Sequence, residues 1–175
     1  LGMPVANLTV VILDRERHSE LIAEVRKVGC RIQLIPDGDV SAAIATALRD
    51  TGVNVLMGTG GAPEGVLAAA ALRCVGGALQ ARLKPRNQKE IERAIAMGVE
   101  DINKIYTEDE LARGDNIMFA ATGVTNGDML RGVQFTPEGA TTHSIVMRSP
   151  TRSIRIIETR HSAQRGTAFS HYQEA

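Results

Sequence analysis

The chain has 175 residues, of which 43% are hydrophobic, and its 20 basic and 20 acidic residues give a formal net charge of zero. This length and apolar content suit one globular domain with a real core and exclude a disordered or fibrous chain. Because no sustained basic run is present, nucleic acid and anionic membrane surfaces are not expected partners, which leaves small molecules.

Cysteine usage and hydropathy indicate where such a chain works. Cys30 and Cys74 stand apart and show neither metal-ligand nor disulfide spacing, which favours a reducing cytoplasm. No apolar run reaches the roughly 18 to 20 residues that span a bilayer, and no secretory segment opens the chain. The chain begins at Leu1 and enters its first predicted strand at Leu8, as expected of a cut or incomplete reading frame.

The first half alternates β-branched runs with amphipathic or Ala-rich runs, which predicts alternating strands and helices. Asp39 is the expected N-cap of the second helix, and Pro63 suits the first turn of the third. This alternation indicates an α/β fold with a parallel sheet covered on both faces. In chain order the segments are LTVVIL (8–13), RHSELIAEVRKVG (17–29), RIQLIP (31–36), DVSAAIATALRD (39–50), VNVLM (53–57) and PEGVLAAAALRCV (63–75).

The second half keeps the alternation and then becomes β-rich. The turn-forming strings PEG and SPTRS separate its last three runs, which indicates an antiparallel meander at the edge of the sheet. We expect one domain over residues 1–161, followed by a loose tail over 162–175. The segments are ALQARL (78–83), NQKEIERAIAMG (87–98), TEDELARGD (107–115), NIMFAATG (116–123), GVQFT (132–136), ATTHSIVMRS (140–149) and SIRIIETRH (153–161).

Three loops follow the first three predicted strands: DRER, PDGD and GTGGAPEG. In an open parallel sheet, ligands bind beyond the carboxyl ends of the strands, where such loops gather. Arg15 and Arg17 suit a phosphate because guanidinium groups match its geometry, although a solvated helix start explains them equally well. Asp37 and Asp39 flank Gly38, which suits either a turn with a cap or carboxylates that accept hydrogen bonds from sugar hydroxyls.

The third loop favours an anion. Gly58, Gly60 and Gly61 let a ligand approach the backbone, and the N-terminus of the next helix points its amides at the same place. Glu64, in the first turn of that helix, would repel a bare phosphate but suits a divalent cation that bridges to one. The alternative is that Glu64 only complements the helix dipole.

Several standard motifs are excluded. A dinucleotide fingerprint that starts at Gly58 would need glycine where Pro63 stands, and neither glycine loop is followed by Gly-Lys-Ser/Thr. No serine occupies a nucleophile elbow. The second glycine loop, ATGVTNG from Ala121, is interpreted as a tight turn. The histidines lack metal-ligand spacing and are expected at scattered surface or edge-strand positions: His18, His143, His161 and His171.

Five stretches stand out as a set: LDRERH, LIPDGDV, GGAPEGVLAAAALRCVGGALQARL, MFAATGVTNGDMLRGV and TTHSIVMRS. Together they resemble the C-terminal half of class II fructose-1,6-bisphosphatase, the bacterial metal-dependent sugar bisphosphatase, from about Leu8 to His161. That family belongs to the lithium-sensitive phosphatase group. The resemblance therefore implies a three-layer α/β/α part with a mostly parallel sheet, which follows an N-terminal α+β part.

The resemblance also implies roles for residues in the three loops. The two arginines match positions that bind a substrate phosphate, and the Asp-Gly-Asp segment matches the part that holds the sugar. Glu64 matches a carboxylate ligand of the divalent metal, Mn²⁺ or Mg²⁺. Relatives often have a proline where Glu16 stands. The implied substrate-binding residues are Arg15, Glu16, Arg17, Asp37, Gly38, Asp39 and Gly61.

The implied reaction is hydrolysis of fructose 1,6-bisphosphate to fructose 6-phosphate and phosphate, a step of gluconeogenesis. Metals in such enzymes polarise the phosphoryl group and activate a water. The family's catalytic threonine, its substrate-binding tyrosine and most of its metal ligands belong to the N-terminal half, so no catalytic residue is assigned to this chain. Because Glu64 alone cannot hold a divalent ion, we expect the chain by itself to be weak or inactive. A homo-oligomer is expected of the full-length protein.

Three alternatives stay open from the sequence. In the first alternative the chain is a stand-alone module that binds a sugar phosphate without turnover. In the second it is a structural fragment whose loops are unformed and bind nothing. Within the enzyme class, activity on sedoheptulose 1,7-bisphosphate is equally compatible, since the loops do not count the carbons of the sugar.

Overall fold

The computed structural model describes residues 2–162, and within them five helices and nine strands alternate in a mixed α/β arrangement. The helices are α1 Ser19–Val28, α2 Asp39–Ala47, α3 Ala62–Val75, α4 Gln88–Ala96 and α5 Glu108–Leu111. The strands are β1 Thr9–Leu13, β2 Arg31–Ile35, β3 Val55–Leu56, β4 Gln80–Arg82, β5 Ile105–Thr107, β6 Met118–Thr122, β7 Gln134–Thr136, β8 Gly139–Arg148 and β9 Ser153–Ser162.

The first three strands form a parallel sheet in the order β2-β1-β3. Successive side chains of β1 point to opposite faces. Val10 and Ile12 pack on one face against Ile22 and Val25 of α1. On the other face, α2 contacts β1 and β3. The prediction of a parallel sheet with helices on both faces is therefore confirmed for these strands.

Strand β3 is shorter than the predicted VNVLM segment because a side chain takes over part of its pairing. The Asn54 Oδ1 atom accepts a hydrogen bond from the Thr9 backbone N–H at 2.8 Å, while the Asn54 N–H donates to the Thr9 carbonyl at 3.0 Å. At the other end, the Met57 N–H donates to the Val11 carbonyl. The segment thus stays attached to β1 beyond its two strand residues.

The sequence predicted that the β-rich second half forms a meander at the edge of the parallel sheet, and this prediction is wrong. Strands β6, β7, β8 and β9 form a separate antiparallel sheet around the central β8, and the short β4 and β5 pair with each other. The expectation of a mostly parallel sheet is therefore wrong. The physical reason lies in the alternation along the strands, which turns Phe119, Ile145 and Met147 to one face, where they pack against Ala71 and Cys74 of α3.

Helix α3 is the central element, since it contacts α2, α5 and the antiparallel sheet. Its small residues Ala69, Ala71 and Cys74 are fully buried and let the neighbouring elements approach closely. Cys30 and Cys74 are both free, and burial raises the pKa of the Cys74 thiol above its usual value. A raised pKa keeps this thiol protonated and inert.

The N-termini of helices α2 and α5 show how these helices are capped. Asp39 is not the N-cap of α2, because Gly38 occupies that position and Asp39 is the first helical residue. The short helix α5 begins within the TEDELARGD segment, and Thr107 and Glu110 form a reciprocal capping box at its start. The predicted loose tail lies outside the described residues beyond Ser162. Between residues 2 and 162, no helix combines the length and the apolar character needed to cross a membrane.

Two alanine substitutions in glycines of α3 and its C-terminal turn test this packing. A Cβ atom on Gly77 would lie 2.5 Å from Leu72 Cδ2 and 2.9 Å from Ala47 Cβ, inside the core between α2 and α3. We expect Gly77→Ala to lower the free energy of unfolding by about 1–3 kcal/mol through overpacking. Gly65→Ala meets no atom within 4 Å and raises it by roughly 0.5–1 kcal/mol through helix propensity. Denaturant unfolding measures both, and equal effects of the two changes would contradict the packing described.

Candidate functional site

The loops after β1, β2 and β3 meet at one edge of the parallel sheet, as the sequence predicted. Because the strand order is β2-β1-β3, the loop after β1 lies between the other two. Hydrogen bonds from Arg15 and Arg17 and a close approach of Asp39 to Gly60 join the loops in pairs, and each involves a residue that the sequence singled out.

Arg15 joins the first loop to the second. Its guanidinium donates to the Asp14 carbonyl at 3.1 Å and to the Pro36 carbonyl at 2.5 Å, and the side chain is exposed. A charged donor on a neutral carbonyl makes a comparatively strong hydrogen bond. Arg15 therefore holds the start of the Asp37 turn against the end of β1, and its remaining N–H groups stay directed to solvent.

Arg17 joins the first loop to the glycine loop. Its Nε atom donates to the Thr59 carbonyl at 2.9 Å. A guanidinium carries five N–H groups, so the four on its terminal nitrogens are left for another acceptor. Anchoring at Nε fixes the plane of the fork, which is the arrangement that suits bidentate contact with a phosphate. Glu16 lies between the two arginines and is exposed, and its carboxylate has no partner among residues 2–162.

The second loop meets the glycine loop at Asp39. Its Oδ1 atom accepts from the Val40 N–H at 2.9 Å, while its Oδ2 atom stands 3.2 Å from the place a Cβ on Gly60 would take. Gly38 has φ +84°, in the left-handed region that favours glycine, and it turns the chain so that Asp39 opens α2. Asp37 is exposed, and its carboxylate has no hydrogen-bond or ion-pair partner in the described part of the chain.

Gly61 and Glu64 form the start of α3. Gly61 is the N-cap and provides no side-chain acceptor, so the first amides of the helix lack a side-chain cap. A Cβ on Gly61 would overlap the Glu64 Oε2 atom, which shows that this carboxylate folds back over the glycine. Glu64 is exposed and makes no hydrogen bond or ion pair with any residue from 2 to 162. The folded-back pose of Glu64 is compatible with a role in which the carboxylate only complements the helix dipole, although that role does not require this pose.

His18 lies at this edge of the sheet in a position that sequence reasoning missed. The expectation of a surface position is wrong for it, because only 1% of this residue is exposed and its ring lies between β1 and the glycine loop. A lone histidine gives no sequence signal for such a place, apart from its position directly after the DRER loop. His161 lies on the edge strand β9, as expected, whereas the expectation is wrong for His143, which is half-buried on the central strand β8, and His171 lies outside the described residues.

The carboxylates around the glycine loop suit part of a metal site. Asp39 and Glu64 present oxygens beside adjacent glycines, and oxygen is the donor that Mn²⁺ and Mg²⁺ prefer. Within residues 2–162, however, no group of three or more His, Cys, Asp or Glu side chains is placed to hold an ion. Further ligands from outside this part of the chain are needed for a complete site.

A separate cleft of about 380 Å³ lies at the far end of α3, away from these loops. Arg73 in this cleft is committed to structure, since it pairs with Asp109 at 2.8 Å and donates to the Ala112 and Gly114 carbonyls. None of the predicted site residues lines it. Its lining residues are Arg73, Gly76, Gly77, Glu108, Asp109, Asp115, Ser149 and Arg152.

The fold and the loop edge define an α/β protein with exposed arginines and carboxylates gathered at the carboxyl ends of its parallel strands. Comparison with known families then identifies it more closely. Residues 1–161 match the family described as bacterial fructose-1,6-bisphosphatase, glpX-encoded. The chain belongs to this family.

Curated relatives agree with this assignment. Proteins named D-fructose 1,6-bisphosphatase class 2/sedoheptulose 1,7-bisphosphatase are 43% identical in Synechococcus sp. strain JA-3-3Ab and 44% identical in Trichodesmium erythraeum strain IMS101. The matches cover 92% and 90% of this chain but only 50% and 49% of the relatives. The chain thus spans about half the length of the curated relatives it matches.

The turn that presents Asp39 is tested by comparing two substitutions of Gly38. Gly38→Ala forces a Cβ into the left-handed region, and we expect it to lower the free energy of unfolding by about 1–2 kcal/mol. Gly38→Asn is expected to cost less, because asparagine tolerates this region better than alanine. Denaturant unfolding of both variants measures the difference, and an alanine variant as stable as the unchanged chain would exclude the turn described.

Proposed function

We propose that the chain supplies the substrate-binding loops and one metal ligand of a sugar bisphosphatase that hydrolyses fructose 1,6-bisphosphate to fructose 6-phosphate and phosphate. The observation that carries the proposal is the joining of three loops in pairs, through Arg15 with Pro36, Arg17 with Thr59, and Asp39 beside Gly60. Family membership supports the substrate class.

Arg15 and Arg17 bind one phosphate of the substrate in this proposal. Both side chains are exposed, and both are held by backbone carbonyls rather than by carboxylates. Their positive charge is therefore not neutralised by an ion pair among the described residues. Two arginines held side by side hold a phosphate with little further ordering.

Asp37, Gly38 and Asp39 hold the sugar in this proposal, and Gly61 lets it approach the glycine loop. The unpaired carboxylate of Asp37 and the free Oδ2 of Asp39 are acceptors that suit sugar hydroxyls. Carboxylates next to a phosphate subsite also disfavour a second anion at their own position. This arrangement orients the substrate, with one of its two phosphates at the arginines and its hydroxyls at the aspartates.

Glu64 is the residue that holds a divalent metal, Mn²⁺ or Mg²⁺, with further ligands from the rest of the family's chain. When bound, the metal supplies Lewis-acid polarisation of the phosphoryl group and activation of water. Glu64 contributes an unpaired carboxylate at a helix start that would otherwise attract anions. Its fold over Gly61 places that carboxylate beside the glycine loop.

The wider features of the family are part of the same proposal. They are the layered fold of the lithium-sensitive phosphatases, a cytoplasmic location and a homo-oligomeric full-length protein. Sedoheptulose 1,7-bisphosphate is a second substrate candidate, because the relatives carry that activity in their names. Two competing readings predict different behaviour. A stand-alone binding module binds fructose 1,6-bisphosphate without metal or turnover, and a structural fragment binds nothing.

Phosphate release from fructose 1,6-bisphosphate tests the proposal. The chain is assayed with Mn²⁺ or Mg²⁺, first alone and then with the remaining half of a family member. We expect activity only in the mixture, and Glu64→Gln is expected to lower the rate at least about 100-fold, which corresponds to ~2.7 kcal/mol of transition-state stabilisation.

Glu24→Gln is the matched control, since Glu24 is an exposed carboxylate of α1 without a partner among residues 2–162. It is expected to leave the rate of the mixture unchanged. Turnover by the chain alone, or full activity of Glu64→Gln in the mixture, would refute the assignment of Glu64. Tight binding that needs no metal and never leads to turnover would favour the binding module.

A further inference from the structure

The imidazole of His18 lies between the end of β1 and the glycine loop. Its Nδ1 atom is 2.8 Å from the Leu13 carbonyl oxygen, and its Nε2 atom is 2.9 Å from the Thr59 backbone nitrogen. A third distance, 3.2 Å, joins Nε2 to the Thr59 carbonyl oxygen. Because His18 is buried, water does not replace any of these partners, and the ring must satisfy them itself.

The partners determine where the ring carries its proton. The Leu13 carbonyl only accepts hydrogen bonds, so Nδ1 must donate to it. The Thr59 N–H only donates, so Nε2 must present its lone pair. The neutral imidazole with its proton on Nδ1 satisfies both. The opposite tautomer donates from Nε2 to the Thr59 carbonyl, 3.2 Å away, but it turns the Nδ1 lone pair against the Leu13 carbonyl and sets Nε2–H against the Thr59 N–H. The doubly protonated ring also sets Nε2–H against the Thr59 N–H.

The same residue of the glycine loop is held a second time, through its carbonyl. The Thr59 carbonyl accepts from Arg17 Nε at 2.9 Å, so consecutive residues of the first loop hold the nitrogen and the oxygen of Thr59. The ring also occupies the space beside Gly58, where a Cβ would lie 3.3 Å from two ring atoms. The glycine loop is therefore positioned by the residues that directly follow Glu16.

We propose that His18 is a positioning residue. As the Nδ1–H tautomer it fixes the Gly58–Thr59 peptide, next to the Thr59 carbonyl that Arg17 holds, and so positions Gly60 and Gly61. A loop fixed before the ligand arrives does not have to be ordered on binding, which preserves affinity. The effect on ligand affinity rests on the proposed function. The tautomer and the Thr59 contact do not rest on it.

The tautomer is measured first, by long-range proton–nitrogen correlation of the histidine rings in the 175-residue chain near neutral pH. His18→Gln identifies the His18 signals by their loss. The expected spectrum has a protonated Nδ1 and an unprotonated Nε2. A ring with its proton on Nε2, or with both nitrogens protonated, overturns the proposal.

Two variants then separate positioning from folding. The Oε1 atom of His18→Gln reaches the Thr59 N–H in place of Nε2, whereas His18→Asn keeps only a donor for the Leu13 carbonyl. We expect His18→Asn to speed exchange of the Thr59 amide and to weaken binding of fructose 1,6-bisphosphate about five- to tenfold, the worth of one hydrogen bond. His18→Gln is expected to restore both to within about twofold of the unchanged chain.

Gly58→Ala gives an independent test if His18→Asn unfolds. Its Cβ displaces the ring by a few tenths of an ångström. We expect faster Thr59 amide exchange in this variant too. Unchanged Thr59 exchange in both His18→Asn and Gly58→Ala overturns the proposal.

Failure of positioning and failure of the proposed function look different. If the unchanged chain does not bind fructose 1,6-bisphosphate while the tautomer and the Thr59 amide behave as expected, the proposed function fails and the positioning of the loop stands. If the unchanged chain binds and His18→Asn binds equally well, the positioning role in ligand binding is overturned and the proposed function stands.

Discussion

The candidate site depends on the mutual attachment of three loops at the carboxyl edge of a small parallel sheet. Arg15 reaches the Pro36 carbonyl, Arg17 reaches the Thr59 carbonyl, and Asp39 stands beside Gly60, so every pair of loops has a contact. Loops are costly to order, at about 1–2 kcal/mol per residue for the backbone alone. Because the loops are attached to one another, much of this entropic cost is met when the chain folds rather than when a ligand binds. The attachment also explains why the arginines hold carbonyls instead of carboxylates, since their charge stays available.

The electrostatic layout of this edge has two parts. The arginines of the first loop are the cationic part, and the helix N-terminus at Gly61 adds uncapped amides near it. Asp37, Asp39 and Glu64 are the anionic part. A sugar with one phosphate at the arginines and its hydroxyls at the aspartates matches this division, and a divalent cation would offset the repulsion between Glu64 and a phosphate. An isolated phosphate would match only the first part.

Local patterns predicted most of the elements, because strand and helix periodicities of the first half are unambiguous and Gly or Pro marks their ends. The sheet assignment failed for the second half, since alternation in β8 shows that one face is buried but not what covers it. Only the packing of Ile145 and Met147 against α3 decides that. Likewise the position of the loop arginines at the sheet edge could be predicted, because they directly follow the first strand. The burial of His18 could not, because it depends on Gly58 and Thr59, about 40 residues away in the chain. The N-cap of α2 lies one residue earlier than predicted, because Gly38 adopts the left-handed turn and Asp39 is already helical.

Family membership and loop geometry both support a sugar-phosphate site, but the chain covers half of its relatives, and residues 2–162 contain no cluster of three or more metal-binding side chains. The central claim is that the three loops form one sugar-phosphate site. Nitrogen-15 amide spectra of the chain, titrated with fructose 1,6-bisphosphate, test it most directly. The account predicts that amides of residues 15–17, 37–39 and 58–61 shift together with one dissociation constant. Shifts confined to one loop, or centred on the cleft around Arg73, would contradict it.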